Sequence, residues 1–178
     1  MTTKSQVVAL LKENKDERGI EHWKKKGIKK SKLKSFGIGL TKLRKLAKTI
    51  GRDHKLAQQL WKSDVYDLKV IGLLIDDPKQ LTREQAETQV EDLNAGMLAH
   101  AFASCDATLA KTAFACDIAV RWIDSDDDMR RRCGFLLLYE LSKDKQNKEL
   151  DDVFFRRYIV RIEEEIHREE NWVRDAMS

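Results

Sequence analysis

Apolar positions recur three and four residues apart almost throughout the chain, the spacing that lays one stripe along a helix. Val7, Val8, Leu10 and Leu11 mark a short first helix, and Ile20 and Trp23 a second that Gly27 ends. Leu40, Leu43, Leu46, Ala47 and Ile50 give a longer amphipathic helix, opened by "GLT" and closed by Gly51. From Asp53 the pattern becomes rhythmic. "DHKLAQQLWKS" is followed at once by "DVYDLKVIGLLID", and "TREQAETQVEDL" by "NAGMLAHAFASC". "ATLAKTAFACDIAVRWIDS" is followed by "DDDMRRRCGFLLLYELS", and "NKELDDVFFRRYIVRIEEEIHR" by "ENWVRDAMS". Most pairs read as a helix, a short link whose Ser, Asp or Asn caps the next element, and a second helix.

The second helices begin near residues 64, 95, 127 and 170, intervals of 31, 32 and 43 that belong to helical-hairpin arrays of the HEAT or armadillo kind. "LWKSDVYDLKVIGLLI" and "RWIDSDDDMRRRCGFLLLYEL" share a Trp, a short acidic link and a glycine set among apolar residues. The reading is an all-α solenoid of HEAT-like antiparallel helix pairs, one domain over 1–178, with basic helices at 1–52. An irregular bundle is the alternative, and the short links favour the array. The pattern breaks off within "NWVRDAMS", so a closing repeat or a covering partner is expected past Ser178.

Composition agrees. One proline, Pro78, and eight glycines are too few for a many-stranded β protein, and a 42% apolar content suits a packed domain. The cysteines are Cys105, Cys116 and Cys133, odd in number and without C-x-x-C spacing, which reads as reduced thiols in a cytoplasmic protein. No apolar run approaches a membrane span, and no metal or cofactor is expected.

Charge changes the picture. The formal charge is +4 overall, but it is +11 through Lys48 and −7 beyond it. Between Lys24 and Lys48 stand eleven Lys or Arg with no Asp or Glu. Such asymmetry points to an anionic partner. "KKKGIKKSKLK" packs seven lysines around two aliphatics, and lysines that are merely close to a phosphate backbone release its counterions. A solvated face is the bland reading; the absence of any acid favours nucleic acid. Lys29, Lys30, Lys32, Lys34, Lys42 and Lys45 are the candidate DNA contacts of this run.

Further on, Arg130, Arg131 and Arg132 fan across about 200° of one helix and cannot all face one ligand. One or two should pair with Asp126 to Asp128 or with the preceding repeat, and the one nearest the concave side is placed to hold a phosphate. Trp61 and Trp122, at helix ends, read as joints between repeats. His100, alone on its helix, reads as a structural residue. No metalloprotease, nucleotide-loop or nucleophile-elbow motif occurs.

"GIGLTKLRKLAKTIGRDHKLAQQLWKSDVYDLKVIGLLIDDP" resembles the N-terminal repeats of the bacterial DNA alkylation repair family (AlkC/AlkD-like), and the likeness runs from Trp23 to the last residue. The resemblance implies a HEAT-like solenoid whose concave basic face cradles duplex DNA. It also implies a glycosylase lineage that releases alkylated, positively charged purines without flipping the base into a pocket. Active members carry a Trp followed four residues later by an Asp, whose carboxylate steadies the oxocarbenium-like sugar. Here Gly96 stands at the Trp position and His100 at the Asp position, and an imidazole supplies no such negative charge. The family's phosphate-binding arginine matches Arg132, and a further active-site Trp falls past Ser178. The resemblance therefore implies duplex DNA as partner, through its phosphate backbone, with base excision weak or lost. A protein-binding HEAT scaffold without nucleic-acid function is the competing expectation, mildly favoured by the acidic remainder.

Overall fold

The structure, a computed structural model, describes residues 2–25, 32–93, 97–144 and 150–178. Its helices are α1 Lys4–Glu13, α2 Glu17–Lys25, α3 Leu40–Ile50, α4 His54–Trp61, α5 Tyr66–Ile75 and α6 Arg83–Glu91. They continue with α7 Leu98–Ala103, α8 Ala115–Ile123, α9 Asp128–Leu141, α10 Asp152–Glu165 and α11 Asn171–Met177. No strand occurs among the described residues; one isolated parallel bridge joins Lys34 to Val65.

The links cap the helices much as their composition predicts. Thr3, Asp53, Thr82, Asp127 and Asp151 each accept the N–H three residues on, which supplies one of the orphan donors of a helix start. Two expected helices are shorter. "ATLAKTAF" holds only a 3-10 turn at Leu109–Lys111, because the Thr112 hydroxyl donates back to the Leu109 carbonyl at 2.8 Å and its backbone turns extended. α10 starts at its Asp151 cap. Gly27, expected to end α2, lies outside the described residues.

Two layers result. α3, α5, α7, α9 and α11, the second helices, pack in sequence against one another, while α4 and α8 pack against their own partners α5 and α9. The glycine common to both clear repeats explains how closely those hairpins pack. A Cβ at Gly134 would lie 2.7 Å from Ile123 Cγ1 and 2.9 Å from the Ala119 carbonyl oxygen; at Gly72 it would lie 2.9 Å from the Ala57 carbonyl oxygen. Trp61 and Trp122 are buried beside these contacts, as joints between helices. Burying each such side chain stabilises the fold by roughly 1.5–3 kcal/mol.

The segment before α3 is tied down by one carboxylate. Asp67, fully buried in the first turn of α5, accepts from Ser35 Oγ at 2.9 Å, Phe36 N–H at 2.7 Å and Ile38 N–H at 3.1 Å. Lys34 N–H donates to the Asp64 carbonyl and Tyr66 N–H to the Lys34 carbonyl, so this extended stretch is laid against the start of α5.

Candidate nucleic-acid interface

The three consecutive arginines of α9 separate by partner. Arg130 reaches back to Glu87 and Glu91 of α6. Arg131 forms a two-pronged ion pair with Glu169 at 2.9 and 3.0 Å and donates to the Ser125 and Asp126 carbonyls. Both therefore serve as ties within and between repeats.

Arg132 differs. It is 5% exposed, and among the described residues its side chain makes no ion pair and no hydrogen bond. Its Nε is a buried donor with nothing to donate to. Its guanidinium lies 4.8 Å from the centre of the Trp172 ring, and burial lowers its pKa from the ordinary arginine value. A buried charge is normally paired, because leaving it bare is expensive. Asp175 on α11 favours the Arg132 charge from beyond ion-pair distance, and an anion delivered from outside would complete the pairing.

His100 shares the site from α7. Burial lowers its pKa, the Arg132 charge lowers it further, and Asp175 on α11 opposes both. The imidazole is therefore neutral at neutral pH. Trp172 and Asp175 lie three residues apart on one side of α11, and Met97, the N-cap of α7, stands three residues before His100. Met97 and Trp172 are exposed, at 43% and 59%, which is unusual for such large apolar groups. α7 is held by Tyr66, whose hydroxyl accepts the Met97 N–H at 3.2 Å and whose pKa is pushed up to about 12 by burial. The ensemble offers a cation, an aromatic ledge, a neutral imidazole and, from α11, the Asp175 carboxylate. Position 100 offers no carboxylate.

The N-terminal lysines fare unevenly. Lys29 and Lys30 lie outside the described residues, as does Gly96. Lys32, Lys42 and Lys45 are exposed. Lys34 is exposed but tied to Asp64 at 2.8 Å, which raises its pKa through the hydrogen bond and the charge. Among the described residues no ion pair or hydrogen bond joins any of these to Arg132, which stands three second-layer helices away from α3.

Other cations do converge, two from the basic run read in the sequence (Arg44 and Lys48) and two from outside it (Arg52 and Lys111). Arg44, Lys48, Arg52 and Lys111 line a cleft of about 240 Å³ with Cys105, Asp106 and Leu74. These positions span 68 residues of sequence, and only the packing of α3 against α5 and of α5 against α7 brings them together. Trp172 likewise gave no signal, because nothing in "ENWVRDAMS" says which face of α11 is open.

Comparison with known proteins adds two findings. The family model described as DNA alkylation repair enzyme matches residues 7–178. A solved structure described as a new family of proteins related to the HEAT-like repeat DNA glycosylases, with affinity for branched DNA structures, superposes with a TM-score of 0.84. It is 20% identical over 99% of this chain and 73% of that one, so the likeness is one of fold: a HEAT-like helical array. No curated protein sequence matches the chain.

Proposed function

Since the chain belongs to the DNA alkylation repair enzyme family, we propose that it binds the phosphate backbone of duplex DNA on its second-helix layer, with base excision weak or lost. The observation that carries this reading is Arg132: a nearly buried guanidinium with an unsatisfied Nε, lying beneath an exposed tryptophan. Arginine offers a planar fork of donors that matches a phosphate, and a desolvated arginine gains most from an incoming anion. Backbone contacts of this kind fix register and carry no sequence information, so binding is non-specific.

The loss of excision rests on His100. A glycosylase must steady positive charge on the sugar as the base leaves, and a neutral imidazole next to a guanidinium contributes nothing toward that. Lys32, Lys42 and Lys45, with Lys29 and Lys30, add a sequence-independent pull that weakens with salt. The affinity of the structural neighbour for branched DNA makes a junction a second substrate worth testing beside a plain duplex.

The test is a titration of labelled duplex, unmodified or alkylated, at two salt concentrations, followed by assay for released 7-methylguanine. Binding to both duplexes without base release is the expected result. Release at the rate of active relatives would overturn the loss of excision, and absence of binding at low salt would overturn the DNA reading. The exposed Val153, Ile159 and Val160 of α10 would then favour a protein-binding scaffold.

A further inference from the structure

The cleft where α3, α5 and α7 end gathers four cations around one carboxylate, and nothing in the site around Arg132 uses it. We propose that it is a second anchor for a phosphodiester backbone, in which Lys48, Lys111 and Arg44 hold a phosphate that displaces the Asp106 carboxylate. The proposal rests on the DNA reading above and adds a place and a chemistry to it.

Four cations line the cleft against one carboxylate. Arg44 pairs with Asp106, and Arg52 is taken up by the Asp76 carbonyl and by Thr108 Oγ1 at 3.1 Å. Lys48 and Lys111 are exposed and make no ion pair with a described residue, yet both lie close enough to Asp106 to help Arg44 hold its pKa down. Helix carboxyl ends attract cations, and three such ends bring about half a negative charge each. Together with Asp106, and with Asp77, which the Arg52 charge helps keep ionised, that leaves roughly half a positive charge over. Glu140, nearby, is already matched by Lys143 at 2.7 Å.

The floor of the cleft is fixed. Cys105 and Asp106 both adopt left-handed backbone, with φ of 56° and 64°, an arrangement disfavoured for residues with a Cβ that needs an outside tie. Glu140 provides one, accepting the Asp106 N–H at 3.1 Å and the Ser104 hydroxyl at 3.4 Å. The Asp106 carboxylate is thereby aimed across the end of α5 at Arg44, where an anion of the ligand would sit. A phosphate makes the same bond to Arg44 and additionally satisfies both lysines. The volume, about 240 Å³, is several times the roughly 30 Å³ share of one water.

Position supports a shared strand. Glu140 lies eight residues beyond Arg132 on α9, a rise of about 12 Å. A strand advances about 3.4 Å per nucleotide, so one backbone reaches from Arg132 to the cleft within a few nucleotides.

The test uses the full chain. In wild type, Lys48→Gln/Lys111→Gln and Asp106→Asn, the salt dependence of duplex binding is measured, and alkylation of Cys105 by N-ethylmaleimide is followed by peptide mass with and without duplex or inorganic pyrophosphate. The proposal expects the double variant to lose about one unit of salt slope, Asp106→Asn to bind several-fold tighter, and Cys105 to react more slowly with either anion present. An unchanged slope in the double variant, or Cys105 labelling unaffected by saturating duplex, overturns the anchor while leaving the Arg132 reading intact. Should wild type bind no duplex, the DNA reading fails on its own. Pyrophosphate then decides the cleft: protection of Cys105 supports an anion site, and no protection removes it.

Discussion

The Arg132 guanidinium stacks 4.8 Å from the centre of the exposed Trp172 ring, joining α9 to α11 beside His100. The ring covers one side of the cation and Nε is buried, so a ligand would meet the guanidinium at its terminal nitrogens. Such a contact is worth about 0.5–2 kcal/mol, more where water is excluded. Trp172→Ala should therefore weaken duplex binding by roughly 2- to 30-fold without unfolding α11, which is anchored by buried Val173 and Met177. Fluorescence anisotropy at fixed salt measures this.

The hairpin seam gives a stability prediction. Gly134→Ala places a methyl against Ile123 and the Ala119 carbonyl, where backbone must move. The expected loss is about 1–3 kcal/mol, read as a lower urea midpoint. Gly39→Ala, with nothing within 4 Å, gives up only the glycine cap at the start of α3 and should lose less, about 1 kcal/mol or under.

Asp67→Ala would strand the buried Ile38 N–H together with the donors of Ser35 and Phe36. Unsatisfied buried donors cost about 1–3 kcal/mol each, and partial relaxation leaves an expected loss of about 3 kcal/mol. Asp67→Asn, which keeps one acceptor oxygen, should lose less. Equilibrium unfolding of the two variants side by side tests the ranking.

His100 makes stability acid-sensitive. Its folded pKa lies below the ordinary value near 6.5, so the native state resists protonation. The contribution is complete above that value and is lost as pH falls through it toward the folded pKa. Urea midpoints at pH 7.5 and 5.5 should fall farther in wild type than in His100→Gln. Duplex binding follows the opposite trend, tightening in acid as the imidazole gains charge beside the phosphate.

Much of the fold is legible in the sequence because each repeat writes its own period. Leu43, Ala47 and the Trp61–Gly72 and Trp122–Gly134 pairs all encode local faces, and all are buried or tightly packed as their spacing requires. The site is less legible because its members come from different repeats. That Arg130 and Arg131 would be spent on Glu87, Glu91 and Glu169 while Arg132 would not depends on helix-to-helix packing. The pairing of Lys34 with Asp64, and of Arg44 with Asp106, likewise crosses long stretches of chain. Runs of charge show up in sequence; the cleft at the ends of α3, α5 and α7 does not.

The most direct measurement is the salt dependence of duplex affinity in wild type and Arg132→Ala. If the buried guanidinium holds a backbone phosphate, the variant should bind at least tenfold more weakly and its slope of log affinity against log salt should shrink by about one unit. Equal affinity and equal slope in a folded Arg132→Ala protein would contradict the account.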